Sequence, residues 1–238
     1  MSKIEHKYYI SPSILAANFT ILGKEIQQVI SAGAKSIHFD VMDNHYVPNL
    51  SIGPIVLRSL RKSGFEIPID IHLMAKPIDK LVCSFIKEKS NCIIFHPEST
   101  NKIEHILNKI KENNCKTGLA FSLSTSLKYL ENNYILKNLD TVLIMSVNPG
   151  FFGQKFQIKA INRIRKIRKL INNSGYKILI SVDGGINANN IYKIAYSGAD
   201  IFVIGSAIFH QNHYFETIKE MQLKIIRAKS DILSKNKN

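Results

Sequence analysis

The chain has 238 residues, 45% of them hydrophobic, which suits one large α/β domain with a sizeable core. Its 32 basic and 18 acidic residues give a formal net charge of +14, but the excess falls on presumed helix surfaces and the tail, with no helix-turn-helix, zinc-finger or RNA-binding signature, so no nucleic-acid partner is expected. The three cysteines have no paired spacing, the polar start lacks the apolar segment of a secretory signal, and no apolar run approaches the ~20 residues of a membrane span, so a cytoplasmic protein with no membrane partner is expected.

Residues 8–15 read as a first strand, broken by Pro12, with Ser13 near its end. Residues 19–31 have helical periodicity through Ile21, Leu22, Ile26, Val29 and Ile30, closed by Gly33. Residues 36–43 are a strand with His38, Asp40 and Met42 on one face and Ile37, Phe39 and Val41 on the other. A loop over 43–52 follows, and Gly53-Pro54 opens a helix to about Lys62. The strand at 67–74 repeats the pattern, with Asp70, His72 and Met74 on one face. Pro77 starts a helix to about Lys89, and 91–96 is a short apolar strand ending in His96. A helix at 103–113, a strand at 116–122 and a weaker helix at 126–132 come next. The strand at 139–146 carries Met145 near its end. It leads into the loop 148–154 and a basic amphipathic helix at about 156–172. The strand at 176–183 ends on Asp183, directly before Gly184-Gly185. A helix at 188–197 has Gly198 as its C-cap, and the strand at 200–204 ends at Gly205-Ser206. The final helix covers about 213–230, and a Lys/Asn-rich tail frays from about 231.

Strand and helix alternate without a linker-like gap. That is the α/β pattern of a parallel sheet with crossover helices. Eight such units close into a (β/α)8 TIM barrel, here a single domain over 1–238. A doubly wound open sheet would need a glycine-rich turn after the first strand, which is missing.

Barrels carry their chemistry at the C-terminal ends of the strands. Ser13, His38, Asp40, Met42, His72, Met74, His96, Met145 and Asp183 all fall there. Each polar residue alone fits a hydrogen-bonded interior group. Together, two His and two Asp from three strands fit one divalent ion, with Zn2+, Fe2+, Mn2+ and Co2+ all open. A second set of glycines follows the last three strands, at Gly150–Gly153, Gly184-Gly185 and Gly205-Ser206, where barrels often bind phosphate through backbone N–H groups.

These residues resemble the ribulose-phosphate 3-epimerase family. The resemblance rests on Ser11-Pro12-Ser13-Ile14-Leu15-Ala16-Ala17, His38-Phe39-Asp40-Val41-Met42-Asp43 and Val47-Pro48-Asn49-Leu50-Ser51-Ile52-Gly53-Pro54. It continues through Asp70-Ile71-His72-Leu73-Met74, Met145-Ser146-Val147-Asn148-Pro149-Gly150-Phe151 and Val182-Asp183-Gly184-Gly185-Ile186, and covers about residues 9–225. The resemblance implies a metal-dependent isomerase of the pentose phosphate pathway. It would interconvert D-ribulose 5-phosphate and D-xylulose 5-phosphate by two-base proton transfer at C3 through a metal-stabilised enediolate. His38, Asp40, His72 and Asp183 would hold the ion, and Asp40 and Asp183 would be the two catalytic bases. Ser13, His72 and Asp183 would contact the sugar. Backbone of Gly150, Phe151, Phe152, Gly153, Gly184, Gly185, Gly205 and Ser206 would cradle the phosphate. Met42, Met74, Met145 and His96 would support the site, Asp70 would stand behind it, and the protein would be a homo-oligomer.

Four positions depart from the family pattern: Phe152 and Asn44 stand where Gly is usual, and Ser122-Leu123 replaces Asn-Pro. If residue 152 needs a positive φ, Phe152 is strained there and a raised KM follows. Asn44 tolerates the left-handed region. Three rivals stand beside the epimerase reading, the most distant a non-catalytic nucleic-acid binder that would use the +14 charge. A six-carbon epimerase, such as one acting on allulose 6-phosphate, would share the metal residues. The decarboxylase and hexulose-phosphate synthase group would carry Lys where His72 stands.

Overall fold

The computed structural model describes residues 8–235. The first seven residues of the expected polar start and the last three of the expected tail lie outside the described residues. The elements run β1 (Tyr9–Pro12), α1 (Leu22–Ser31), β2 (Ile37–Met42), α2 (Pro54–Lys62), β3 (Ile69–Met74), α3 (Asp79–Lys87) and β4 (Cys92–Phe95). They continue α4 (Ile103–Glu112), β5 (Lys116–Phe121), α5 (Asn133–Lys137), β6 (Thr141–Met145), α6 (Lys159–Ser174) and β7 (Leu179–Asp183). The chain ends with α7 (Ile191–Tyr196), β8 (Ile201–Ile204), α8 (Ser206–Phe209) and α9 (Tyr214–Lys235).

All the strand pairs are parallel, in the order β1-β8-β7-β6-β5-β4-β3-β2. The seam between β1 and β2 is bridged by Ser13 and His38 and by a 2.7 Å hydrogen bond from Ser36 Oγ to Ser11 Oγ. The sheet is therefore a nearly closed (β/α)8 barrel of one domain, and Ser13 and His38 at its seam belong to the candidate site.

Side-chain alternation sorts each strand as expected. Ile37, Phe39 and Val41 of β2, and Ile69, Ile71 and Leu73 of β3, join the main core under the helices. Phe39 meets Phe85 of α3 edge to face, with ring centroids 5.9 Å apart, a pair worth ~0.5–1.5 kcal/mol beyond its buried area. The opposite face of both strands, which carries the polar residues, points into the barrel.

Several boundaries differ from the sequence reading; the first strand, expected over 8–15, ends at Pro12, and Ile14–Ala16 form a 3-10 turn. The weak helix at 126–132 is a 3-10 turn, Leu127–Leu130, followed by α5. Asn132 begins a helix rather than ending one, because its side-chain oxygen accepts from the N–H groups of Tyr134 and Ile135. The basic helix α6 starts at Lys159, because the backbone of residues 154–156 lies against Gly185 and Gln157 N–H bonds Ser146 O. α8 was not foreseen. α9 runs to Lys235 instead of fraying from 231, and Tyr192 donates to Asp231 Oδ2 at 2.6 Å to hold that end.

Candidate active site

The C-terminal ends of β2, β3 and β7 bring four side chains to one point. One donor atom each from His38, Asp40, His72 and Asp183 lies within 4.8 Å of the others. His38 Nε2 is 3.3 Å from Asp40 Oδ1 and 3.8 Å from Asp183 Oδ2. His72 Nδ1 is 3.0 Å from Asp40 Oδ1 and 3.8 Å from Asp183 Oδ2. The two ring nitrogens are 3.4 Å apart. His38, Asp40 and His72 are buried, and the Asp183 side chain is only 15% exposed.

Two carboxylates and two imidazoles that aim at one buried centre repel or waste their lone pairs unless positive charge sits among them. Among the described residues, the recorded ion-pair partners of both carboxylates are these two histidines, not Lys or Arg. The two-nitrogen, two-oxygen donor set suits a first-row divalent cation, and the residues fit that group.

The electrostatics split the two acids. Burial opposes the Asp40 charge, but His38, followed by hydrogen bonds from His38 and His72, holds its carboxyl well below the usual range. Burial, then repulsion from Asp40, pushes Asp183 up to about 7, with His38 pulling the other way. Burial would lower His38, but the charge and hydrogen bond of Asp40, and then Asp183, carry it up to about 9. His72 is lowered, chiefly by burial. Neighbouring acids with pKa values driven apart are a common arrangement for proton transfer.

The other expected residues surround this point. Ser13, at the end of β1, donates its hydroxyl hydrogen to Asp40 Oδ2 at 2.6 Å. Met42, Met74 and Met145 line the cavity above the four side chains, as do Asp40 and Asp183. His96 does not line that cavity: it is buried behind His72, with Nε2 3.0 Å from His72 Nε2. Asp70 is not behind the site either. It opens to the opposite end of the barrel, beside Tyr9 and Lys116, where Asn91 Nδ2 donates to its Oδ1 at 2.9 Å.

Gly150, Phe151, Phe152 and Gly153 line the far wall of the same cavity, with Gly184, Gly185, Gly205 and Ser206. The helix α8 begins at Ser206, so its first N–H groups have no intrahelical acceptor. At Gly185, φ is +62°, and an added Cβ would lie 2.3 Å from Phe156 N and 2.7 Å from Gln154 O. Only glycine fits against that backbone.

The strain expected at Phe152 is not found. The positive-φ residues of this loop are Gly150 (120°) and Gly153 (77°), which leave Phe152 in an ordinary conformation. Its half-exposed ring packs edge-on to His210, with centroids 6.1 Å apart. Phe152 therefore gives no strain-based reason for a raised KM. Asn44 does adopt a left-handed φ of 56°.

Several contributors escaped the sequence reading. Gln154 joins the cavity wall and ties the loop together, with Nε2 donating to Asn148 O and Phe151 O. Asn49 Nδ2 donates to Gly150 O at 2.8 Å, binding the loop after β2 to the glycine loop. Ser146 is buried, and its hydroxyl donates to Asp183 O at 2.7 Å, fixing the backbone of that acid. Asn49 and Ser146 lie inside the quoted motifs, but their partners are 101 and 37 residues away.

The three cysteines are free, and no helix among the described residues is long and apolar enough to cross a membrane. A family model described as the ribulose-phosphate 3 epimerase family matches residues 9–209. A ribulose-phosphate 3-epimerase of Escherichia coli is 49% identical over 222 residues, covering 93% of this chain and 98% of the relative. One from Buchnera aphidicola subsp. Acyrthosiphon pisum is 50% identical over 225 residues, covering 94% and 98%. Among solved structures, 3-keto-L-gulonate-6-phosphate decarboxylase from Vibrio cholerae superposes with a TM-score of 0.70 at 13% identity, covering 92% of this chain and 98% of that one. 3-Hexulose-6-phosphate synthase from Salmonella typhimurium gives 0.68 at 12% identity, covering 92% and 99%. At such identities the two structures attest to the barrel alone.

Proposed function

The chain belongs to the ribulose-phosphate 3-epimerase family and is an isomerase, and we propose that it interconverts D-ribulose 5-phosphate and D-xylulose 5-phosphate with a divalent cation bound by His38, Asp40, His72 and Asp183. The observation that carries this reading is the convergence of His38, Asp40, His72 and Asp183, one donor atom of each within 4.8 Å of the others, at a cavity that Asp40 and Asp183 line on one side and glycine-rich backbone on the other.

In this reading the sugar phosphate lies across the cavity, with its phosphate toward Gly184, Gly185 and the start of α8. The N–H groups there meet the phosphate oxygens. Asp40 on β2 and Asp183 on β7 stand three strands apart around the sheet, so they reach a molecule between them from different sides. One carboxylate takes the C3 proton, and the other returns a proton to the opposite face of the planar enediolate, which inverts C3. A cation held by His38, Asp40, His72 and Asp183 would supply positive charge that favours the enediolate. Ser13 holds Asp40 in place through Oδ2, leaving Oδ1 toward the centre. The three methionine side chains exclude water above the reacting carbons.

The substrate places the reaction in pentose phosphate metabolism, and the absence of cysteine bridges suits the cytoplasm. A homo-oligomer completes the proposal. Incubating the protein with D-ribulose 5-phosphate in D2O tests the chemistry. Xylulose 5-phosphate must form and carry deuterium at C3. Turnover of a six-carbon ketose phosphate such as allulose 6-phosphate, with the pentose left unchanged, would reassign the substrate.

A further inference from the structure

A second line of polar groups runs from His72 away from the cavity. His72 turns Nδ1 to Asp40 Oδ1 at 3.0 Å and Nε2 to His96 Nε2, also at 3.0 Å. His96 follows β4 directly. It is fully buried, with its ring 5.2 Å from that of His72 and 5.1 Å from that of Tyr46. Its second nitrogen, Nδ1, is buried and has no hydrogen-bond partner among the described residues. Glu98 Oε1 stands 3.9 Å from that nitrogen. The same oxygen accepts from Tyr46 OH at 3.2 Å and from Thr125 Oγ1 at 2.9 Å, so its place is set from two loops.

The proton positions along this line follow one from another. A nitrogen that ligates a cation carries no hydrogen, so a ligating Nδ1 leaves the His72 hydrogen on Nε2. That hydrogen has one neighbour to go to, and His96 Nε2 must then accept. An accepting Nε2 leaves the His96 hydrogen on Nδ1, the orphaned atom that faces Glu98. Ligating histidines commonly give their other N–H to an outer partner, which fixes both ring orientation and tautomer. Here the outer partner is a second imidazole backed by a carboxylate.

We propose that His96, backed by Glu98, is a positioning residue that holds His72 in its Nε2–H tautomer and thereby sets the affinity of the four-residue site for its cation. The inference rests on the reading of His38, Asp40, His72 and Asp183 as a divalent-cation site. An apolar side chain of similar size would fill the same space without accepting a hydrogen bond, and this separates the proposal from simple packing.

The test is Zn2+ affinity by competition with a chromophoric chelator, on the purified full chain and on variants whose thermal unfolding shows that they fold. His96→Leu should weaken Zn2+ binding by about 10–100-fold. His96→Gln, whose side-chain oxygen accepts where Nε2 did, should recover most of the loss. Glu98→Gln should weaken binding by a smaller factor. Ring 15N shifts of the zinc-loaded parent should show hydrogen on Nε2 of His72 and on Nδ1 of His96, and this measurement decides the matter if His96→Leu does not fold. Parent-like affinity in folded His96→Leu, a Gln variant no better than Leu, or hydrogen on His96 Nε2 overturns the proposal while leaving the cation site intact. Parent-like Zn2+ affinity in His72→Ala combined with Asp183→Asn overturns the cation-site reading, and this inference with it.

Discussion

Ser13 and Asp40 meet across the barrel seam: the Ser13 hydroxyl donates to Asp40 Oδ2 at 2.6 Å, where β1 and β2 come together. The bond turns Oδ1 toward the two histidines. A hydrogen bond to a charged group contributes ~1.5–3 kcal/mol. Ser13→Ala is expected to lower kcat/KM by roughly 10–100-fold, with little change in thermal stability beyond the local loss. Steady-state kinetics with ribulose 5-phosphate check it, and a parent-like kcat/KM would mean that Asp40 needs no such support.

Gly185→Ala should both destabilise the fold and damage phosphate binding. The new Cβ meets backbone atoms of Phe156 and Gln154, which cannot rotate away, at a φ that L-residues rarely adopt. A loss of ~1–3 kcal/mol is expected, with a fall in Tm of several degrees and a larger rise in KM than loss of kcat. Phe152→Ala, by contrast, should change stability by less than ~0.5 kcal/mol, because Phe152 is half exposed and unstrained. Similar losses for the two variants would contradict the conformations assigned here.

Asp70 is the opposite case, an ionisable group whose charge the fold disfavours. Burial raises its pKa above the ordinary carboxylate value, despite the hydrogen bond from Asn91. The folded state therefore binds the proton more tightly than the unfolded chain. Stability associated with this group is present below the unfolded pKa and falls as pH rises toward the folded pKa. Asp70→Asn keeps an acceptor for Asn91 and removes the titration. Its Tm should exceed that of the parent at pH 7, with the difference shrinking toward about pH 4. A variant less stable than the parent at pH 7 would show that Asp70 is needed as a charge.

Cation binding should stabilise the fold by mass action. At about 100 times its Kd, a ligand that binds only the folded state contributes ~2.7 kcal/mol. For a chain of this length that corresponds to a rise of roughly 5–11 °C in Tm. Differential scanning fluorimetry with Zn2+ or Co2+ should show such a rise, reversed by a chelator and absent in Asp183→Asn combined with His72→Ala. A shift that persists in the double variant would place the cation elsewhere.

Much of this was legible from the sequence because strand alternation is strict. The spacing His38-Asp40-Met42 and Asp70-His72-Met74 alone put those side chains on one face, and the register between β2 and β3 then stacks Asp40 beside His72. Asp70 shows where the same rule stops. Alternation gives the face but not the height along the barrel, and Asp70 falls at the other end. The glycine loops marked one wall of the cavity, but a pattern carries no φ, and the positive φ expected at Phe152 belongs to its neighbours Gly150 and Gly153. The Glu98–His96–His72 line was invisible for a related reason: His72 and His96 lie 24 residues apart on the ends of different strands, and only the closed barrel sets their separation.

Whether this site epimerises C3 with the help of a cation is decided by one coupled assay. Formation of xylulose 5-phosphate from ribulose 5-phosphate is followed for the protein as isolated, after chelation, and after adding back Fe2+, Zn2+, Mn2+ or Co2+. Activity should fall on chelation and return with at least one of these ions, and Asp40→Asn and Asp183→Asn should each lose about 10²–10⁴-fold in kcat. Full activity after exhaustive chelation of a folded protein, or parent-like turnover in either variant, would rule out cation-dependent two-base epimerisation at this site.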